Sequence, residues 1–125
     1  YLGFRNKSAA YQIEDFKNLC NQVFVSTDDG SLGEKGFAVD ILHKRIEEQG
    51  PDLILGCGPI PMLKALKHIS EKYNILCQIS LEERMGCGLG GCLVCSCAIR
   101  KNDSWNYKMV CTDGPVFNSE EVIFP

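Results

Sequence analysis

Residues 53–67 read LILGCGPIPMLKALK, and this stretch decides the fold class. Leu53, Ile54 and Leu55 are a short continuous apolar run of the kind that forms a buried strand, expected over residues 52–55. Gly56-Cys57-Gly58-Pro59 then turns the chain. Pro61 opens a helix expected over 61–72, because the first helical turn needs neither the N–H that proline lacks nor a freer φ. A strand that runs directly into a helix is the repeating unit of parallel sheets. The same alternation extends outward in both directions. A strand is expected over residues 1–5, a helix over 14–20 with Phe16, Leu19 and Cys20 at helical spacing, and a short strand over 23–26 that ends in Asp28-Asp29-Gly30-Ser31. A further helix over 37–48 sets Phe37, Ile41, Leu42 and Ile46 on one face and is stopped by Gly50-Pro51. Another strand is expected over 75–81. The run predicts an α/β fold, an open, doubly wound parallel sheet covered by helices. Residues 84–125 form a compact appendage with two short strands, near 96–100 and 107–110, and a loosely structured tail.

The chain has 125 residues, enough for a buried core without covalent staples. Thirteen basic and sixteen acidic residues give a net charge of -3 without long runs, so neither nucleic acid nor an anionic membrane is an expected partner. The apolar stretches are interrupted by Gly, Pro or Lys and fall short of the ~20 residues that span a bilayer. Eight cysteines in such a chain call for chemistry. Residues 1–10 carry no basic segment followed by an apolar run, and the thiol content fits a reducing, cytoplasmic setting.

Residues 87–111 read CGLGGCLVCSCAIRKNDSWNYKMVC. Cys87, Cys92 and Cys95 are spaced C-x4-C-x2-C, with Cys111 beyond them, which is the plant-type [2Fe-2S] spacing with its remote fourth thiolate. Gly86, Gly88, Gly90 and Gly91 surround the first two cysteines, where a loop wrapped round an inorganic core needs positive φ or close backbone approach. Backbone N–H groups in such a loop can point at the sulfurs and partly offset the charge of four thiolates. Two other uses of the cysteines compete. A structural zinc site takes four thiolates but usually presents two C-x2-C knuckles, and this chain has one; a disulfide framework would suit a secreted chain. Cys97 lies two residues past Cys95 and could replace it, although the spacing favours Cys95.

Gly56-Cys57-Gly58-Pro59 lies where ligands bind in open α/β sheets, outside the carboxyl end of a strand and before a helix N-terminus. It is not the G-x-G-x-x-G fingerprint, and a tight turn alone would use the same residues. The run LILGCGPIPMLKALK resembles the nicotinamide-proximal loop of the ferredoxin-reductase-like flavoprotein superfamily. SLEERMGCGLGGCLVCSC and VCTDGPVF resemble the electron-transfer subunits of NAD-dependent dihydroorotate dehydrogenases, as do YLGFRNK and STDDGSLGEKGFAVDIL. The resemblance implies Cys87, Cys92, Cys95 and Cys111 as [2Fe-2S] ligands, with Cys97 outside the set. It implies that Gly56, Cys57, Gly58 and Pro59 approach the nicotinamide of NAD(H), and that Arg5 lies near the adenosine phosphate end. It further implies a heterotetramer with an FMN-containing catalytic subunit, electrons passing from dihydroorotate through the cluster and FAD to NAD+. Related flavoprotein subunits of sulfide or ferredoxin oxidoreductases share these features.

Members of the superfamily resemble one another in an N-terminal β-barrel that holds FAD and a first βα unit, neither of which is among these residues. The expected division is therefore residues 1–83 as an incomplete NAD(H)-binding lobe and 84–125 as a cluster-binding module, together the C-terminal part of a longer protein and not catalytically competent alone. For a sheet ordered 3-2-1-4-5, the strand missing from these residues would be the central one, between 1–5 and 52–55. His43 and His68 stand outside any ligand-spaced group and are expected at the surface; Cys20 and Cys77 are expected as core thiols. Trp105 is expected as a packing lid or a partner contact.

Overall fold

The computed structural model describes residues 1–125, and the chain divides into two compact units, Tyr1–Gly50 and Pro51–Pro125. In the first, strands β1 (Leu2–Phe4), β2 (Val25–Thr27) and β3 (Glu34–Lys35) form a parallel sheet in that order. Helix α1 (Ile13–Leu19) joins β1 to β2, and α2 (Ala38–Glu48) follows β3. Val39, Ile41, Leu42 and Ile46 of α2 are buried, the face expected from helical spacing. Phe37 is the N-cap and is exposed, as that face begins one residue later. Arg45 lays its guanidinium 3.7 Å from the centre of the Phe24 ring, which Tyr1 also stacks against. Helix α1 buries no residue, and Cys20 is exposed rather than in the core, because the apolar side of so short a helix meets no packed layer.

The second unit is built on β4 (Leu53–Cys57), α3 (Ile60–Tyr73) and β5 (Leu76–Ser80), with β4 and β5 parallel. Pro61 lies in the first turn of α3, and Asn74 ends the helix in the left-handed conformation while Ile75 N–H returns to Ser70 O at 2.9 Å. Leu63 and Leu66 of α3 pack with Ile54 and Ile79 into a core in which Leu63 and Ile79 are essentially fully buried. Each such side chain contributes on the order of 2 kcal/mol. Gly56 is needed for this contact, since a Cβ there would stand 2.4 Å from Leu66 Cδ1.

Strand β4 is buried only at alternate positions. Leu53, Leu55 and, in register with Leu53, Leu76 of β5 are exposed, because α3 covers one face of this sheet and no element of the second unit covers the other. β1 and β4 each carry one unpaired hydrogen-bonding edge, the two edges between which the missing strand was expected.

The cysteine segment leads into a hairpin of β6 (Ser96–Lys101) and β7 (Ser104–Met109), close to expectation. The tail is not loose. After the short helix α4 (Val110–Asp113), β8 (Val116–Asn118) adds antiparallel to β5, and β9 (Val122–Ile123) adds antiparallel to β6. Lys67 of α3 holds the tail, its ammonium donating to Glu120 O at 3.1 Å and Val122 O at 2.8 Å. Cys77 is buried as expected, His68 is exposed and His43 half-buried. The compact boundary at Gly50 thus joins residues 51–83 to the cysteine segment. No helix is long and apolar enough to cross a membrane.

The tightest backbone approach lies in the first unit. Gly33 has φ +67, and a Cβ there would meet Val25 O at 2.1 Å and Val25 C at 2.7 Å. Neither atom can move without disrupting the β2 ladder. Gly33→Ala is expected to cost about 2–3 kcal/mol of stability, read as a lowered urea midpoint by far-ultraviolet circular dichroism. An unchanged midpoint would show that the loop shifts without cost.

Candidate functional site

Residues 81–95 run from the end of β5 to the start of β6 without regular structure, and their course is set by local backbone geometry. Gly88 and Gly90 have φ of +68 and +78. Gly86 serves differently: it is needed for space, because a Cβ there would lie 2.9 Å from Cys92 Sγ. Gly91 has neither constraint, so only three of the four glycines do what was expected of them. Leu93 also adopts positive φ, +60, between Cys92 and Cys95. A leucine held in that region is strained, a mark of sites where backbone shape serves function. Its residue type gave no signal of this.

The four cysteines at cluster spacing come together as two pairs. Cys87 and Cys92 share one hydrogen-bonded thiol contact, and Cys95 and Cys111 share another. Leu89 N–H donates to Cys87 Sγ at 3.3 Å, and this bond, with the N–H groups of Cys92 and Gly91, pulls the Cys87 thiol down to about 6. Cys111 is held above the ordinary thiol range by the neighbouring Cys95 thiol and by burial, against the N–H of Gly90. Cys95 is buried while Cys87 and Cys92 are exposed. Cys97 stands apart: its thiol donates to Lys108 O across the hairpin at 3.5 Å, and burial and then Glu83 raise its pKa.

Cys111 sits on α4, which is tied to the rest by Val110 N–H donating to Cys95 O at 3.0 Å. Thr112 packs where a Cβ on Gly90 would come within 3.2 Å, which brings α4 against the cysteine loop. Gly114 follows because a Cβ would clash with the Phe117 ring at 2.5 Å.

At the carboxyl ends of β4 and β5, the Cys57 thiol donates to Glu82 Oε1 at 3.7 Å. Gly58 and Pro59 lead into α3, and a cavity of about 390 Å3 opens beside them, lined also by Glu82, Cys97, Tyr107 and Phe124. Sequence reasoning missed Glu82. Its position just past a strand parallel to the one ending in Cys57 is the signal that could have found it. Arg5 is exposed just past β1, in the first unit.

Residues 82–123 match the family model described as the iron-sulfur cluster binding domain of dihydroorotate dehydrogenase B. Over 123 residues, 98% of its length, the chain is 50% identical to the dihydroorotate dehydrogenase B (NAD(+)) electron transfer subunit of Caldanaerobacter subterraneus subsp. tengcongensis. The chain is similar to this family over nearly its whole length, and residues 82–123 carry the match to its iron-sulfur domain. The subunit of a Geobacillus species is 42% identical over 122 residues, again 98% of the chain. The chain spans about half the length of these relatives, 48% and 45%. Among solved structures it is similar to an NADH-dependent reduced ferredoxin-NADP oxidoreductase studied for flavin-based electron bifurcation. That likeness has a TM-score of 0.80 and 29% identity, and covers 98% of this chain and 43% of the other.

The thiol environments give a direct expectation. In metal-free protein, Cys87 is mostly thiolate at pH 7, whereas Cys97 and Cys111 are mostly protonated. Since the thiolate is the nucleophile, iodoacetamide should modify Cys87 first, with a rate that rises through about pH 6 and levels off by neutrality. Site-resolved mass spectrometry reads this out. Cys87 lagging behind Cys111 at pH 7 would contradict the hydrogen bonding described.

Proposed function

We propose that the chain is part of an electron-transfer subunit that relays electrons from dihydroorotate oxidation in an FMN-containing partner subunit, through a [2Fe-2S] cluster and FAD, to NAD+. The observation that carries this reading is the C-x4-C-x2-C spacing of Cys87, Cys92 and Cys95 with Cys111 beyond, inside the residues 82–123 that match an iron-sulfur cluster binding domain. A dinuclear cluster needs two thiolates on each of two irons, and Cys87 with Cys92, and Cys95 with Cys111, supply two such pairs. A structural zinc site usually presents two C-x2-C knuckles, and this chain has one.

Such a cluster, when bound, supplies one-electron transfer between centres that exchange electrons singly or in pairs. The chain's own residues do the rest. N–H groups of Leu89, Gly90, Gly91 and Cys92 are directed at Cys87 or Cys111 sulfur, where they favour the thiolate form required for metal binding. Hydrogen bonds to ligand sulfur also raise a reduction potential, because they stabilise added negative charge. Gly58 and Pro59 give a nicotinamide access to the backbone, with Cys57 and Glu82 as its polar neighbours. Arg5 is assigned to the adenosine phosphate end. The cavity beside the glycine turn is lined by Cys97 and Tyr107 of the cysteine-bearing hairpin, which supports a short route between the nucleotide end and the cluster.

A second reading, a ferredoxin-linked NADH oxidoreductase subunit, is favoured by the structural likeness to the bifurcating enzyme. The higher identity to dihydroorotate dehydrogenase subunits supports the first. Dihydroorotate should bleach the cluster of the native complex under anaerobic conditions; bleaching by reduced ferredoxin but not by dihydroorotate would favour the second.

Protein purified anaerobically should contain about two irons and two labile sulfides per chain and negligible zinc. Replacing Cys87, Cys92, Cys95 or Cys111 by Ser should bleach or destabilise the cluster, while Cys97→Ser should leave the visible spectrum nearly unchanged. Stoichiometric zinc without iron would sink the electron-transfer reading. Loss of the cluster in Cys97→Ser but not in Cys95→Ser would reassign the third ligand.

A further inference from the structure

Cys111 rides on a helix of four residues, α4, which is too short to hold itself: a single turn fixes several dihedrals for one hydrogen bond. Its N-cap, Met109, contributes no capping side chain. What closes the turn is Asp113. Its Oδ2 accepts the N–H of Met109 at 2.7 Å, and its Oδ1 accepts from the Lys108 ammonium at 3.1 Å. The carboxylate at the end of α4 thus folds back over the turn to its beginning, and Cys111 lies in the chain between these two fastened ends. Val110 N–H to Cys95 O is the third fastening, and it joins the turn to the backbone of the partner cysteine.

We propose that Asp113 is a positioning residue for the cluster, holding the α4 turn so that Cys111 meets Cys95 at the separation one iron requires. This rests on the iron-sulfur reading above. The competing role is an ordinary surface ion pair with Lys108, which at these exposures contributes roughly 0–1 kcal/mol and has no bearing on Cys111. Geometry separates the two roles. The bond to Met109 N–H is the shorter one, satisfies a donor that the helix itself cannot, and needs only an acceptor oxygen, whereas the ion pair needs the charge.

The experiment uses the native, cluster-loaded protein. Iron release to a chelator is followed together with iron and sulfide content, visible circular dichroism, and the paramagnetic resonance line shape of the reduced cluster. Asp113→Ala should release iron roughly 10- to 100-fold faster than the parent, the usual effect of losing a group that orients a metal ligand, and broaden the resonance. Asp113→Asn retains a carbonyl oxygen for Met109 N–H and should stay close to the parent, as should Lys108→Met. If Asp113→Ala does not accumulate folded, Asp113→Glu decides in its place. It keeps the charge but displaces the acceptor by one methylene, and should release iron faster than Asp113→Asn. The proposal is overturned if Asp113→Ala matches the parent, if Asp113→Asn is as defective as Asp113→Ala, if Lys108→Met reproduces the alanine defect, or if Asp113→Glu outperforms Asp113→Asn. A parent protein that holds zinc or no metal fails the electron-transfer reading instead, so the two failures are distinguishable.

Discussion

The ladder between β5 and β8 is the interaction on which the rest of the second unit depends. β5 runs parallel to β4 and so fixes the carboxyl end where the glycine turn lies; β8 runs back along its other edge directly after the turn that carries Cys111. Leu81 N–H to Pro115 O and Ser119 N–H to Cys77 O extend the pairing at both ends. One set of backbone hydrogen bonds thereby places the candidate nucleotide turn and the fourth candidate ligand in a common frame. Lys67 reinforces it from the helix side. A half-buried ammonium is costly to desolvate, and its two carbonyl acceptors offset that cost while tying α3 to the strand that pairs with β6. Removing that amine would leave the part-buried Val122 carbonyl without its donor and the Glu120 carbonyl to solvent.

What the sequence made legible was whatever has a period or a fixed spacing. The strand, turn and helix of residues 53–67, the buried face of α2 and the β6–β7 hairpin all lie close to expectation, since each is long enough to show alternation or helical spacing. The two-residue and three-residue strands of the tail were invisible for the opposite reason: β8 and β9 have no pattern of their own and exist because β5 and β6 offer them edges. Cys20 shows the converse error. Helical spacing correctly predicted α1, yet spacing says nothing about whether a partner layer exists, and the thiol is exposed. At the candidate site the ligand spacing was legible, but its supports were not. Glu82 and Asp113 act through residues that are distant or turned back in the chain, and the left-handed Leu93 violates the preference of its own residue type.

Leu53, Leu55 and Leu76 hold the most informative disagreement between pattern and burial. A continuous apolar run reads as a strand covered on both faces, which is how parallel strands usually sit. Here α3 covers one face, and Leu55 on the other is 71% exposed. The unpaired edges of β1 and β4 make the same statement in hydrogen bonds. Side-chain pattern and backbone pairing are independent physical records: β1 and β4 each leave one edge unpaired in their own sheets, and the sheet of β4 also leaves an apolar face bare.

The cysteine hairpin shows how a two-residue difference decides chemistry. Cys95 and Cys97 are separated by a single serine, and spacing alone left either eligible as a ligand. The register of β6 against β7 separates them. Cys97 lies opposite Lys108, and its thiol donates to that residue's carbonyl within the hairpin. Cys95 precedes the ladder, so its carbonyl is free to accept Val110 N–H and its thiol meets Cys111. The backbone bond and the thiol contact select the same partner. The hairpin thus does two things with one register: it engages the Cys97 thiol with Lys108 O, and it draws α4 toward the cysteine loop through Val110 N–H and Cys95 O.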